Sequence, residues 1–550
     1  MNLQRLSLFS SLRISLFIAL FSGALTSQAQ NAGHLSGSLM LNQNFYQRDT
    51  LIGASGNDLY NNFRSGGEGW LNLQYTNYGF TGNVRFDLFN NSNLHTPTQA
   101  YSAQGLGFWS LSKELTEGLT VTGGYFYDQF GSGIVFRSYE DRGLGIDNAV
   151  YGLQLKYRML QDKLLIKGFT GRQKNLFSTF EPVIKGLNAE YFVDIKGKVQ
   201  LTPGVSAVNR TLDKGSMSSI VNTINSYTAL DTVNGVVYFK DRFIPKYNSY
   251  AYSIYNTLNV GNFSWYAEYA GKTAEAIKNA GDTLVNKPGS VYFTSLNYSV
   301  KGFGITLQAK KTDHFVFRTS PNETLLKGMI SFQPPLAKQN SLRLPARYNS
   351  ATQELGELAF EGDIFYSPAK GYKTSLNYSH IDNGNGKLLY QELFADVEIK
   401  KVAKTVVDVG FQYLNYNQAV YQGHPGVPLV VAYTPFIEVT YKFDDRKSLR
   451  MELQYQSTKQ DFGSWAFALL EYNVAPHLSL AISDMYNTEV NLNDPHPQVH
   501  YYNFFGAYTH NSTRFTLAWV KQVSGIVCTG GVCRYEPAFS GLKMTINTSF

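Results

Sequence analysis

Apolar and polar residues alternate along this chain with a period of two, in segments of about ten residues that recur from His34 to the C-terminus. In 80–88, Phe80, Gly82, Val84, Phe86 and Leu88 share one face, and Thr81, Asn83, Arg85 and Asp87 share the other. Tyr151, Leu153, Leu155 and Tyr157 likewise oppose Gly152, Gln154, Lys156 and Arg158. Ile437, Val439, Tyr441 and Phe443 oppose Glu438, Thr440 and Lys442. Leu449, Met451, Leu453 and Tyr455 then oppose Arg450, Glu452, Gln454 and Gln456. Successive side chains of an extended chain point to opposite faces, so each segment reads as a strand with one apolar side. Soluble strands usually have about 5–6 residues, whereas a tilted membrane crossing takes about 9–11 with aromatics near both ends. These segments have the longer form. The expected fold is all-β, a single large antiparallel transmembrane β-barrel.

Composition supports this reading. The mean hydropathy is -0.22, and no apolar run after the first thirty residues is long enough for a membrane-spanning helix. Aromatic residues make up 15% of the chain, with 38 Tyr and 37 Phe, which suits strands girdled by interfacial rings. The net charge of +7, to which Arg5 and Arg13 contribute two, is mild for this length. No basic stripe occurs, so no nucleic-acid partner is expected. The start of the chain reads as a signal peptide: Arg5 and Arg13, the apolar run Ile14 to Leu25, and the small-x-small Ser27-Gln28-Ala29. This assigns 1–29 to a cleaved leader and 30–550 to the barrel, with no room for a separate domain ahead of it.

The connections carry a second signal. Short turns are expected at Asn77-Tyr78-Gly79, Thr116-Glu117-Gly118, Gln161-Asp162-Lys163, Gly197-Lys198, Val260-Gly261-Asn262 and Val300-Lys301-Gly302. More follow at Pro368-Ala369-Lys370, Val402-Ala403, Asp444-Asp445-Arg446, Ala475-Pro476 and Asn511-Ser512. Between successive short turns a longer polar connection is expected every time, the longest over 210–246 and 313–352. Bacterial outer-membrane barrels alternate short periplasmic turns with long extracellular loops, so the eleven turns imply about 24 strands (22–26) and two periplasmic termini. Leu542, Met544, Ile546 and Phe550 share one face of the last segment, opposite Lys543, Thr545, Asn547 and Ser549. An amphipathic last strand ending in Phe550 resembles the signal that barrel assembly machinery recognises. It is expected to close against the first strand, because an open edge in lipid leaves backbone groups unsatisfied.

Few residues point to local chemistry. Cys528-Thr529-Gly530-Gly531-Val532-Cys533 lies in the last long connection, where Gly-Gly suits a two-residue hairpin turn and sets the cysteines opposite each other. A structural disulfide is expected. His496 and His500 have the spacing of helical zinc ligands, but Pro495 and Pro497 forbid a helix, and Asp382-Asn383-Gly384-Asn385-Gly386 lacks the ligand set of a calcium loop. No metal, no cofactor and no catalytic residue is assigned, and no nucleophile elbow, Walker loop or H-E-x-x-H occurs, so an enzyme is not expected. One long connection stands apart: Tyr125-Phe126-Tyr127-Asp128-Gln129-Phe130-Gly131-Ser132-Gly133, followed by Arg137, Glu140, Asp141 and Arg142. It reads equally as an ordered loop folded into the lumen and as a solvated outer loop. The connection containing Gln333-Pro334-Pro335-Leu336-Ala337-Lys338-Gln339 and Leu344-Pro345-Ala346-Arg347 suits an inward constriction or a partner surface. Thr50, Thr232 and Thr283 sit in Asp-Thr-apolar tripeptides of expected outer loops, a pattern that resembles Bacteroidota O-glycosylation acceptors.

The Tyr-Asp-Gln-Phe-Gly-Ser-Gly block, the Pro-Pro-Leu-Ala-Lys-Gln loop and the Gly530-Gly531-Val532-Cys533-Arg534 tip together resemble an uncharacterised Bacteroidota outer-membrane β-barrel family, a domain of unknown function. The resemblance covers nearly the whole mature chain and implies fold and location in a Gram-negative outer membrane. It brings no activity or site residue.

Two functions are in view. The first is a porin-like or loop-gated channel for polar solutes, lined by Arg85, Asp87, Lys156, Arg158, Glu438, Lys442, Arg450 and Glu452. The second is a surface or assembly scaffold. Its outer loops bind another envelope protein, a glycan or lipopolysaccharide. Outer-membrane lipid and lipopolysaccharide surround the barrel in either case.

Overall fold

The computed structural model describes residues 33–233, 236–491, 497–530 and 532–550. The leader expected over 1–29 and the mature start at Gln30 lie outside them, as does His496. Among the described residues, 24 strands form one antiparallel sheet closed on itself. One of them, Ser178–Tyr191, breaks at Phe192 and resumes as Val193–Ile195. Each barrel strand pairs with the next in the chain. The first, His34–Tyr46, then pairs with the last, Phe539–Ser549, from Ser38↔Ser549 to Tyr46↔Gly541. Gly37 and Phe550 extend this seam by exchanging backbone hydrogen bonds of 2.8 and 3.0 Å.

The outer wall is apolar. Leu153 and Leu155 are 47% and 44% exposed, Leu453 is 57% exposed, and Phe86, Leu88, Ile437 and Met451 are exposed on neighbouring strands. Such a continuous apolar surface is not tolerated in water, and a closed sheet is one of two ways for a backbone to cross hydrocarbon fully hydrogen-bonded. Aromatics mark both margins of the band, with Tyr75, Phe80, Tyr366 and Tyr441 at one and Phe45, Tyr250, Tyr433 and Trp519 at the other. The wall therefore faces lipid, and the inner phase of every strand faces the lumen.

All eleven expected short turns lie at one end of the barrel, which also holds both described termini. The opposite end carries the connections 47–64, 127–149, 212–247, 314–355 and 523–538. One expectation fails. The connection between Leu164–Asn175 and Ser178–Tyr191 is only Leu176-Phe177, with Leu176 at a left-handed φ of 55°, so not every outer connection is long. In 212–247 a helix, Lys214–Asn225, starts where the Asp213 carboxylate accepts from the Ser216 amide (2.9 Å). It buries Met217, Ile220 and Ile224 against Ala276 and Leu284, at the rim ends of two wall strands.

Gly541 at the seam has φ 141°, and a Cβ there would lie 1.9 Å from the Phe45 carbonyl oxygen. Gly541→Ala is expected to destabilise the barrel by roughly 1–3 kcal/mol in urea titrations of vesicle-embedded protein. Gly525→Ala, where a Cβ meets nothing within 4 Å, is expected to unfold with the wild type.

Candidate functional site

Toward the long-loop end the inner wall is apolar as well. Phe169, Ile184, Val208, Val291, Leu414 and Val430 point inward from six strands, and all are buried. In an open pore they would face water. Here they are covered by two connections that fold into the lumen. From 127–149 come Phe130, Ile134 and Phe136, and from 314–355 come Phe315, Phe317, Ile330 and Tyr348. The ring centroids of Phe136 and Phe169 lie 4.5 Å apart, and those of Tyr348 and Tyr416 5.2 Å. Fully burying one such side chain contributes about 1.5–3 kcal/mol, so the seal is a hydrophobic core inside a membrane barrel.

Local sequence explains how the first loop enters. Gly131 and Gly133 take φ of 51° and 98°, turning the chain between Gln129–Phe130 and Phe136–Arg137. The turn delivers Ser132 to Glu268 on the wall strand Phe263–Lys278, whose Oε2 accepts from the Ser132 amide (3.0 Å), the Ser132 hydroxyl (2.5 Å) and the Tyr266 hydroxyl (2.5 Å). Asp147, at the end of the loop, meets Arg85 (2.5 Å) and Lys174 (2.7 Å) and accepts from the Tyr127 hydroxyl (2.8 Å). Arg85 also pairs with Asp87 (2.6 Å) and Glu140 (3.0 Å). Asp128 lies 3.3 Å from the Lys156 Nζ and 3.1 Å from that of Lys167, and accepts from Gln154 (2.6 Å). Arg142 pairs with Glu140 (2.7 Å) and covers the Trp70 ring, Arg137 stacks on Tyr139 and Phe332, and Asp141 accepts from the Leu144 amide (3.0 Å). All five candidate residues of this loop therefore lie in the inward-folded segment.

The second loop crosses the barrel. Near its start Arg210, which pairs with Glu275, donates to the carbonyls of Arg318 and Thr319. Lys310 holds Glu357 (2.7 Å) and the Pro334 carbonyl. Farther along, Asn340 donates to Glu392 (2.7 Å), the Leu344 amide to Gln454 (2.7 Å), and Gln412 to the Pro345 carbonyl (3.2 Å). The loop ends its crossing at Asp461, which takes Arg347 (3.2 Å) and the Tyr348 hydroxyl (2.8 Å), with Arg347 over the Trp465 ring. The two loops are hydrogen-bonded to each other, Arg137 amide to Ile330 carbonyl and Phe332 amide to Gly133 carbonyl, both at 3.0 Å. A hairpin, Gly525–Thr529 with Val532–Glu536, is stapled by the Cys528–Cys533 disulfide. Its Val532 packs on Leu144, Ile146 and Met329 of the plug.

Beyond the plug the lumen is wet. Along Val430–Lys442 the inward Val430, Ala432, Thr434 and Phe436 are buried, Glu438 and Thr440 half-buried and Lys442 exposed. Tyr416, Leu414 and Gln412 are buried on the neighbouring strand, and Asp408 is half-buried. Glu398, Asp408, Glu438 and Glu452 stand directly opposite one another across four strands. Like charges so placed repel, and Arg450 offsets part of this by pairing with Glu438 (2.9 Å), Glu452 (3.0 Å) and Glu471 (2.8 Å). Of the eight residues expected to line a lumen, Arg85 and Asp87 are each 4% exposed and tied into the plug, and Lys156 holds Asp128. Arg158 and Lys442 are exposed at the short-turn end, and the other three form the Arg450 cluster.

The anchors Asp147, Lys174, Glu268 and Asp461 were missed by sequence reasoning. Glu268 and Lys174 are ordinary polar members of barrel strands, and nothing local marks their distant partners. The threonines of the three Asp-Thr-apolar tripeptides lie apart from the plug: Thr50 and Thr232 are exposed on connections of the long-loop end, and Thr283 is half-buried beside Lys278–Asp282, an ion pair of 2.8 Å.

A family of unknown function, DUF6029, matches residues 8–550. The chain belongs to DUF6029. No curated protein matches it. Among solved structures, this DUF6029 chain is similar to the P pilus usher (PapC) translocation pore, with 8% identity and a TM-score of 0.42 over 94% of this chain and 99% of that one. It is also similar to the siderophore receptor PirA from Pseudomonas aeruginosa, with 9% identity and a TM-score of 0.40 over 96% and 81%. Likeness at this level assigns no cargo, ligand or partner.

Arg85 is the most connected anchor. Arg85→Ala leaves Asp87, Glu140 and Asp147 short of a cation and is expected to cost about 3–5 kcal/mol in urea titrations. It is also expected to open Arg137 and Arg142 to trypsin. Arg172→Ala, which breaks a pair open to solvent with Glu181, is expected to cost at most about 1 kcal/mol.

Proposed function

We propose that this chain is an outer-membrane barrel held shut by its own loops, which serves as a surface platform. The short turns and both termini face the periplasm, and the last strand, ending at Phe550, is what the assembly machinery reads. One observation carries the reading: the inward loops are bonded to the wall through buried apolar rings and buried ion pairs, a packing that a freely conducting pore has no use for. The outer surface has what a platform needs. Ile244 is 89% exposed and Leu325 83%, with Leu230 and Val237 exposed nearby in sequence to Ile244, and these apolar side chains suit an envelope-protein partner better than a glycan. The Bacteroidota origin belongs to the same proposal, and intact-mass analysis for glycans on Thr50, Thr232 and Thr283 checks it.

A loop-gated channel is the second reading. The polar vestibule with its acidic row favours it, because Glu398, Asp408 and Glu438 of that row are only half-buried, within reach of water. Planar-bilayer recording separates the two. The platform reading expects no steady conductance from the wild type, and large steps once 129–147 is replaced by a short Gly-Ser linker. Steady conductance of the wild type would contradict it, and voltage- or solute-dependent opening of the wild type would establish the gated channel.

A further inference from the structure

The outer rim of the seam carries a groove that the plug does not use. Its volume is about 690 Å³, and it is lined by Arg48 and Arg64, by the apolar Phe45, Trp519 and Leu542, and by Tyr60 at its back. Backbone pairing fixes its shape: the Tyr46 amide donates to the Arg64 carbonyl (2.9 Å) and the Gln47 amide to the Ser540 carbonyl (2.8 Å). Tyr60 is locked from behind, donating to the Ala538 carbonyl (3.0 Å) and packing edge-on against Tyr46.

Its cationic side chains are open to solvent. Arg48 and Arg64 are both exposed, and neither makes an ion pair among the described residues. The acids of the same connection are engaged elsewhere, Asp49 with Lys521 (2.8 Å) and Asp58 with the Asn62 amide group (2.6 Å). Below the arginines, Phe45 and Trp519 are 44% and 40% exposed on the lipid-facing wall. Two guanidinium groups therefore stand directly above an apolar, aromatic surface at the margin of the membrane band. Guanidinium forks bind phosphate through paired hydrogen bonds, and aromatic rings favour the headgroup level.

We propose that this groove binds the phosphate-bearing headgroup of an outer-leaflet glycolipid, with Arg48 and Arg64 on the phosphate and an acyl chain along Phe45, Trp519 and Leu542. The proposal rests on the orientation proposed above, which turns this rim to the outer leaflet, and it is the same for a shut platform and a gated channel.

Native mass spectrometry of the purified full barrel in detergent tests it with three probes: a diphosphoryl disaccharide glycolipid, the same lipid without phosphates, and inorganic phosphate. The phosphorylated lipid is expected to bind, and R48Q/R64Q to weaken it at least about tenfold. R446Q, an exposed arginine on a short turn at the other end, is expected to bind as the wild type. Heat-modifiable gel migration reports that each variant is folded. Equal binding of the dephosphorylated lipid, undiminished binding by folded R48Q/R64Q, or equal binding of inorganic phosphate would each overturn the proposal.

Discussion

Hydrogen bonding between the first and last strands closes the sheet, and the rest of the molecule depends on that closure. In hydrocarbon an unpaired N–H or C=O costs several kcal/mol, so the edges of His34–Tyr46 and Phe539–Ser549 are viable only because each satisfies the other. Closure also sets a geometric problem. A cylinder of 24 strands is too wide for wall side chains to fill. Its interior must be water, or it must be occupied by chain from elsewhere.

This molecule does both, at different depths. At the long-loop end the wall itself is apolar, and the inserted loops supply the matching rings. Their polar backbone would be costly in such surroundings without partners, and the wall and the neighbouring loop provide them: from the wall Gln173 donates to the Met329 carbonyl at 2.6 Å and Gln456 to the Leu344 carbonyl at 3.1 Å, and Asn148 of the first loop also donates to Met329 at 3.2 Å. Toward the short-turn end the same strands carry half-buried carboxylates such as Asp408 and Glu438 and then the exposed Lys442. The division between plug and vestibule is thus written along strands such as Val430–Lys442, whose inner face runs from Val430 and Ala432 to Glu438 and Lys442, while other strands carry buried charges such as Lys310 and Glu357 as anchors for the plug.

That explains what was legible in the sequence. Strand count, closure, the eleven turns and the facing cysteines follow from local patterns, and the family resemblance agreed with them. The tight connection at Leu176-Phe177 was invisible because it has neither Gly nor Asn at its left-handed position. The plug was hidden for a different reason. The alternating stretch 437–443 covers the wet half of its strand, while Phe436, Thr434, Ala432 and Val430 continue the same inner phase in the buried half. Apolar residues on both faces near a strand end read like an interfacial girdle. Only their partners in 127–149 and 314–355, distant in the chain, reveal them as core. The helix over Lys214–Asn225 carried a fair signal in the spacing of Met217, Ile220 and Ile224, inside a connection otherwise read as loop.

Two connections of the long-loop end, 127–149 and 314–355, are as much part of the folded core as the wall is. Hydrogen exchange on the intact barrel tests it most directly, because the amides of Arg137, Ile330, Phe332 and Leu344 all donate within the plug or from plug to wall. Peptides covering 127–149 and 314–355 should exchange as slowly as neighbouring barrel strands, and far more slowly than the exposed connection 423–429. Exchange of those loops as fast as 423–429 would contradict the account.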